Sequence, residues 1–247
     1  MKKYLSVLLF CVAFILCAGD KFIRPTVEVL KVKNFSPANG LKSSVWSKAK
    51  EYPFMLNAGL PQEFALLPAE EGKVSFLCDE KNMYVRAVMN DSEVLSEAVD
   101  SKSQLLNCAD TFFVVLRPLS DSGFFYILCT PNAIVSATYV AGAGSIRLAS
   151  ANTVLETKIP VYTSINGKIN DGKKDKSWSA LLVLPIEKLA AEVQKKCNIN
   201  VRESEGWSVM AGRKNFTRFL NELELSGYPQ PVRGFFTMHH HAKFSVK

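Results

Sequence analysis

The side chains best equipped for chemistry in this 247-residue chain are its carboxylates, its cysteines and a run of three histidines. Asp79, Glu80, Asp91, Glu93, Glu97, Asp100 and Asp110 fall at the ends of apolar segments. Carboxylates so placed suit turn capping or calcium coordination as well as they suit a glycosidase pair, and Asp91 and Asp110 are the candidate calcium ligands. The histidines are His239, His240 and His241. Neighbours on a strand point to alternate faces, so only His239 and His241 could share a metal, with a distant third ligand such as Asp91. The simpler reading is the polar end of a strand. GxSxG, HExxH, GxGxxG and Walker sequences are all missing, and no paired nucleophile and base is recognisable. An enzyme is therefore not expected.

The leader MKKYLSVLLFCVAFILCAGD has two lysines, an apolar run from Tyr4 to Leu16 and small residues at Ala18 and Gly19, the pattern of a secretory signal peptide over residues 1–19. The chain is expected to be secreted, periplasmic or attached to the cell envelope, with no membrane segment after processing. Removing Lys2 and Lys3 lowers the formal charge from +7 to +5. The remaining basic residues are dispersed, and the KINDGKKDK stretch carries no interleaved aromatics, so nucleic acid is not an expected partner. Cys78, Cys108, Cys129 and Cys197 survive processing. An exported chain invites disulfides among them, whereas their apolar settings suit buried thiols equally well. No pair has CxxC spacing, which leaves zinc and thioredoxin-like chemistry unsupported.

The elements that must position these groups read as short strands. VSFLCDEKNMYVRAVMND, from Val74 to Asp91, is strand, tight turn and strand with one buried face. TFFVVL and FFYILC are continuous apolar runs bounded by turn residues, which predicts central strands buried on both faces. Val27 to Val32 suggests a first edge strand within an extended segment 20–40. Ser43 or Ser44 caps a helical turn that carries Trp46 and Ala49 inward. Further strands are predicted at Ala133–Val140, Thr153–Val161, Trp178–Leu184, Trp207–Arg213, Phe216–Glu224 and Phe235–Val246. Pro185 opens a helix whose Ile186, Leu189, Ala190, Val193 and Cys197 form one stripe. Ten to twelve short strands with one convincing helix predict an all-β fold. It is an antiparallel β-sandwich, jelly-roll-like, with one or two short helices, occupying residues 41–247.

The order of motifs carries a resemblance. W-x-x-A near the start is followed by Cys78-Asp79-Glu80-Lys81-Asn82-Met83-Tyr84-Val85 with Asp91 beyond it. Then come Asp110-Thr-Phe-Phe-Val-Val-Leu, Trp178-Ser-Ala-Leu-Leu-Val-Leu-Pro-Ile-Glu-Lys-Leu, and Gly206-Trp207-Ser-Val-Met-Ala-Gly-Arg213. This succession resembles the family 9 carbohydrate-binding modules and their broader relatives. The resemblance implies a non-catalytic sandwich that holds an oligosaccharide or polysaccharide between aromatic faces, with polar groups at its hydroxyls and calcium as a structural candidate. Tyr228 is the expected stacking platform, Arg213 and Asn107 the hydroxyl partners, and Trp207 and Trp178 further aromatic candidates. The chain departs from the family at Phe113, where a glutamate is usual, at Leu181, which replaces another, and at Met210, where an asparagine is expected. Two alternatives stand beside sugar binding: an envelope structural or adhesion protein that keeps the fold without the site, and a haem-binding electron-transfer sandwich.

Overall fold

The computed structural model describes residues 24–56, 67–101, 109–119, 123–142, 152–201, 206–217, 222–229 and 241–247. Alternating and continuous apolar runs dominate them, and the chain answers with strands. These are β1 (Thr26–Lys31), β2 (Tyr52–Pro53), β3 (Met55–Leu56), β4 (Gly72–Cys78), β5 (Met83–Asn90), β6 (Thr111–Pro118), β7 (Phe124–Cys129), β8 (Val135–Val140), β9 (Asn152–Val154), β10 (Val161–Asn166), β11 (Ser177–Leu184), β12 (Trp207–Thr217), β13 (Glu222–Tyr228) and β14 (Ala242–Val246). One α-helix, α1 (Ile186–Cys197), and two 3-10 turns complete the described elements.

The strands form two sheets joined along one edge. The first runs β10-β11-β5-β4-β1 and the second β14-β12-β6-β7-β8-β9, with β13 also paired to β12. β1 makes the join: Thr26 to Val29 lie parallel to β14, while Leu30 and Lys31 lie parallel to β4. The expectation of an edge strand in an extended N-terminal segment is thereby corrected, because both sides of β1 are hydrogen-bonded and Val27 and Val29 belong to the core. A strand that changes partner sheets is a recurring way to close the side of a sandwich.

The main core lies between the sheets. Phe76, Val85, Met89 and Leu182 meet Phe112, Val114, Phe125 and Ile127 there. Leu189 and Val193 of α1 are fully buried on its flank, with Ile186, Ala190 and Cys197 partly buried beside them, as the stripe predicts. Pro185 is the N-cap rather than the first helical residue, and Asn198 ends the helix in the left-handed region at φ 55°.

The β4–β5 hairpin forms with Cys78 opposite Met83, but it has two buried faces instead of one. Leu77 and Tyr84 pack outward under Trp46, Ala49 and Val32. Trp46 is anchored by its indole N–H, which donates to the Gly40 carbonyl at 2.6 Å, and Ser43 Oγ accepts the Val45 amide at the head of its turn. β6 and β7 are likewise buried on both faces, the outer one carrying Phe113, Val115, Phe124, Leu128 and Met210.

Two strand boundaries move. The predicted strand Thr153–Val161 stops at Val154, because the Glu156 and Thr157 amides donate to the Glu192 carboxylate of α1 at 2.7 and 2.8 Å instead of joining a ladder. The edge strand β10 begins only at Val161. Likewise β12 runs through to Thr217, with β13 starting at Glu222 opposite it, so Phe216–Glu224 is not one strand.

Candidate functional site

At one end of the sandwich the segment after β5 has no strand partner, and side chains supply its hydrogen bonds. Five consecutive amides, Ser92 to Ser96, donate in turn to Glu70 Oε1, Asp91 Oδ1, Asp175 Oδ2, Asp110 Oδ2 and Asn170 Oδ1, at 2.6–3.0 Å. Its carbonyls are met as well: Ser92 by the Asp175 amide, Val94 by that of Asn170 and Leu95 by that of Asp110. Buried amides and carbonyls left unpaired would each cost a few kcal/mol. The acidic residues at the loop ends therefore have a structural use that needs no ligand.

Arg213 ties this end to the opposite sheet. Its Nη1 donates to the Asn90 carbonyl at 2.6 Å and the Glu70 carbonyl at 3.2 Å, and its Nη2 to Asp91 Oδ2 at 3.2 Å and to Asn215 Oδ1. Asn215 passes the connection on to Glu70 Oε2. Asp110 Oδ1 accepts the Phe216 amide at 2.7 Å, pinning the far end of β12 to the start of β6. Arg213 and Asp110 are completely buried and Asp91 nearly so. Burial raises the Asp91 carboxyl to about 6 despite the opposing pull of Arg213. Burial, with the Asp91 charge second, raises Asp110 to about 8. Desolvation thus outweighs one guanidinium shared among several carboxylates.

The sequence-predicted residues divide by position. Arg213, Asp91 and Asp110 are brought together, but as a sealed bolt between sheets; none presents a free face to a sugar hydroxyl. Trp178 is fully buried in the main core, so its indole offers no surface for stacking, which corrects its candidacy. Tyr228 is half-buried and lies against Tyr52, ring centroids 4.6 Å apart, with Tyr52 in turn accepting the Glu28 amide. Trp207 is half-buried at the start of β12, beside Phe125. Asn107, Cys108, His239 and His240 lie outside the described residues, and His241 is buried. Among the described residues no three His, Cys, Asp or Glu side chains gather so as to hold a metal ion. Phe113 and Met210 share one buried apolar cluster on the outer face of β6 and β12.

At the opposite end of the sandwich the described residues leave a cleft of about 280 Å³ between the β4–β5 turn, the first turn of α1 and the start of β12. Trp207, Phe244, Met83 and Ile186 give it an apolar floor, and Glu80, Asn82 and Glu187 stand at its rim. The turn is rigid: Asp79 Oδ1 accepts the Lys81 and Asn82 amides at 2.8 and 2.7 Å, and its other oxygen accepts the Tyr84 hydroxyl. Burial, then the neighbouring Asp79, pushes the Tyr84 hydroxyl up to about 12. Sequence reading missed Phe244 and Glu187 because they reach this cleft from β14 and α1, far apart in the chain.

No family model matches the chain, and no curated protein matches it in sequence. Solved structures do match in fold. A protein provisionally described as carbohydrate-binding, from Bacteroides uniformis, is similar at a TM-score of 0.61 and 11% identity, over 90% of this chain and 99% of that one. A family 9 carbohydrate-binding module from Caldicellulosiruptor kristjanssonii, solved with cellotriose and with glucose, is similar at a TM-score of 0.52 and 8% identity. Those matches cover 90% of this chain and 93% and 95% of the respective module chains. The chain has the β-sandwich fold of the family 9 modules. At such low identity the likeness extends to the fold alone.

Proposed function

We propose, taking the family 9-like fold as premise, that this chain is a non-catalytic carbohydrate-binding protein exported by its leader. The observation that carries the reading is the match over nine-tenths of the chain to a module solved with cellotriose and with glucose. The half-buried Trp207 and Tyr228 support it, since an aromatic face packs against the C–H face of a pyranose. Calorimetry of the mature chain against mono- and oligosaccharides at millimolar concentration tests it: saturable heat is expected with at least one glycan. Absence of heat with every glycan overturns it.

A second reading has its own support. Phe113 and Met210 stand in one apolar cluster at two positions where the resemblance leads one to expect a glutamate and an asparagine. An envelope scaffold that has kept the sandwich and lost the sugar site would look the same there. Failure of every glycan in the calorimetry would favour this scaffold. A haem-binding sandwich is separated more simply: a purified chain without a Soret band removes it. N-terminal sequencing of the exported protein checks the leader, with cleavage near Gly19 the expected outcome.

A further inference from the structure

We infer that the open cleft at the β4–β5 turn is the saccharide seat, in place of the outer sheet face, and that it takes a single neutral or amino sugar ring in preference to an acidic one. The inference rests on the carbohydrate reading above and gives that reading a location. Three observations carry it. On the outer side of β6 and β12 the described Phe113, Val115 and Met210 are buried in an apolar cluster, so these side chains offer a sugar neither an open surface nor a polar group. Of the three tryptophans, Trp46 and Trp178 are buried at 3% and 0% exposure, while Trp207 is half-buried and lines the cleft together with Phe244. The volume of about 280 Å³ lies just below the roughly 300–1,000 Å³ usual for small-molecule sites, which suits one ring with its neighbours outside.

The rim sets the class of sugar. Asp79 is committed to the turn amides and Tyr84, and Asn82 Nδ2 donates to Asp79 and Tyr84 at 3.5 Å, so Glu80, Glu187 and the Asn82 Oδ1 acceptor are the rim groups that can meet a ligand. Glu80 and Glu187 are exposed carboxylates, which accept hydrogen bonds from hydroxyls or an ammonium and repel a uronate. Lys81 is the cation among the lining residues, with Lys31 and Lys33 lining a neighbouring groove on the same turn. Cys78, a free and half-buried thiol, stands in the cleft wall and makes a reporter for occupancy.

The test uses the mature chain and three variants, Trp207→Ala, Glu187→Gln and Asn82→Ala, titrated calorimetrically with neutral, amino and uronic oligosaccharides of matched length. Glu187 is exposed, so Glu187→Gln keeps the test meaningful even if Trp207→Ala fails to fold. Glu187→Gln is expected to weaken binding roughly tenfold, the usual scale for a charge-assisted hydrogen bond, and Trp207→Ala at least as much. Bound sugar is expected to slow alkylation of Cys78 and to shift the Trp207 fluorescence. Tight binding that is indifferent to all three variants, with Cys78 alkylation unslowed, overturns the cleft while leaving carbohydrate binding intact. Preference for the uronic series overturns the assigned sugar class. Absence of heat with any glycan overturns both the location and the function it rests on.

Discussion

Arg213 faces more buried carboxylate than one guanidinium neutralises, and that imbalance has a measurable consequence. Asp91 and Asp110 have folded values near 6 and 8, above the ordinary aspartate value of 3.8. A carboxyl whose folded value is raised stabilises the fold fully below its unfolded value and loses that contribution as pH rises through the folded one. Glu192 acts oppositely. Partial burial pushes it up, but hydrogen bonds from the Glu156 amide, Lys196 and Thr157 hold it down at about 2, so its contribution is lost as pH falls from about 4.5. The urea midpoint is therefore expected to peak near pH 4 and to fall between pH 4 and pH 8. A midpoint that climbs across that interval would show the two aspartates to be ionised at little cost. Sequence resemblance picked out Asp91, Asp110 and Arg213 as a set, yet assigned them to a ligand or ion. The commitment of the two aspartates to backbone amides and of Arg213 to backbone carbonyls was not readable, because the partners come from segments whose path only the folded chain defines.

At the scale of elements, the segment 91–98 is held like a strand without being one. The amides of residues 92–96 are satisfied by the carboxylates of Glu70, Asp110 and Asp175 from elsewhere in the chain, by the Asn170 side-chain carbonyl and by Asp91 itself, and Asp175 is one of the clamps, holding the Val94 amide at 2.8 Å and the Lys168 amide at 2.9 Å. Gly167 makes room for that clamp: it has φ +150°, and a Cβ there would stand 1.9 Å from Asp175 Oδ1. Gly167→Ala is expected to displace the carboxylate, cost about 1–3 kcal/mol and speed hydrogen exchange at Val94 and Lys168 by at least tenfold. Unchanged exchange at Val94 would mean that the segment is held without Asp175. The elements with strong local patterns were legible in the sequence: the β4–β5 hairpin, β6, β7, β11 and the α1 stripe. β9 and β10 were misplaced, since the alternation of Thr153 to Val161 says nothing about a helix glutamate taking the amides.

For the whole molecule, the free thiols of Cys78, Cys129 and Cys197 decide a point that cysteine counting left open. Burial raises the Cys129 thiol well above its ordinary value, which suits an inert core residue. A chain of 247 residues is long enough to bury a core that folds without cross-links. Its melting temperature is accordingly expected to be the same with and without dithiothreitol. A structural disulfide contributes typically about 2–4 kcal/mol, and each kcal/mol moves the melting point of a chain this size by about 2–4 °C. A drop of that order on reduction would contradict the free thiols.

The sequence by itself determined the class of fold. Apolar periodicity is a local property, and a succession of short alternating or continuous runs between turn residues permits little besides a β-sandwich. It also determined the β4–β5 turn, where Asp79 captures amides only two and three residues away. Tertiary structure alone decided which face each aromatic occupies. Trp178 and Trp207 both open apolar strands, yet one is sealed in the core and the other lines a cleft. It decided too that β1 joins two sheets, and that Trp207, Phe244, Asn82 and Glu187 converge at one end of the sandwich. Contacts between residues far apart in the chain are set by sheet register and closure, and no local pattern encodes those.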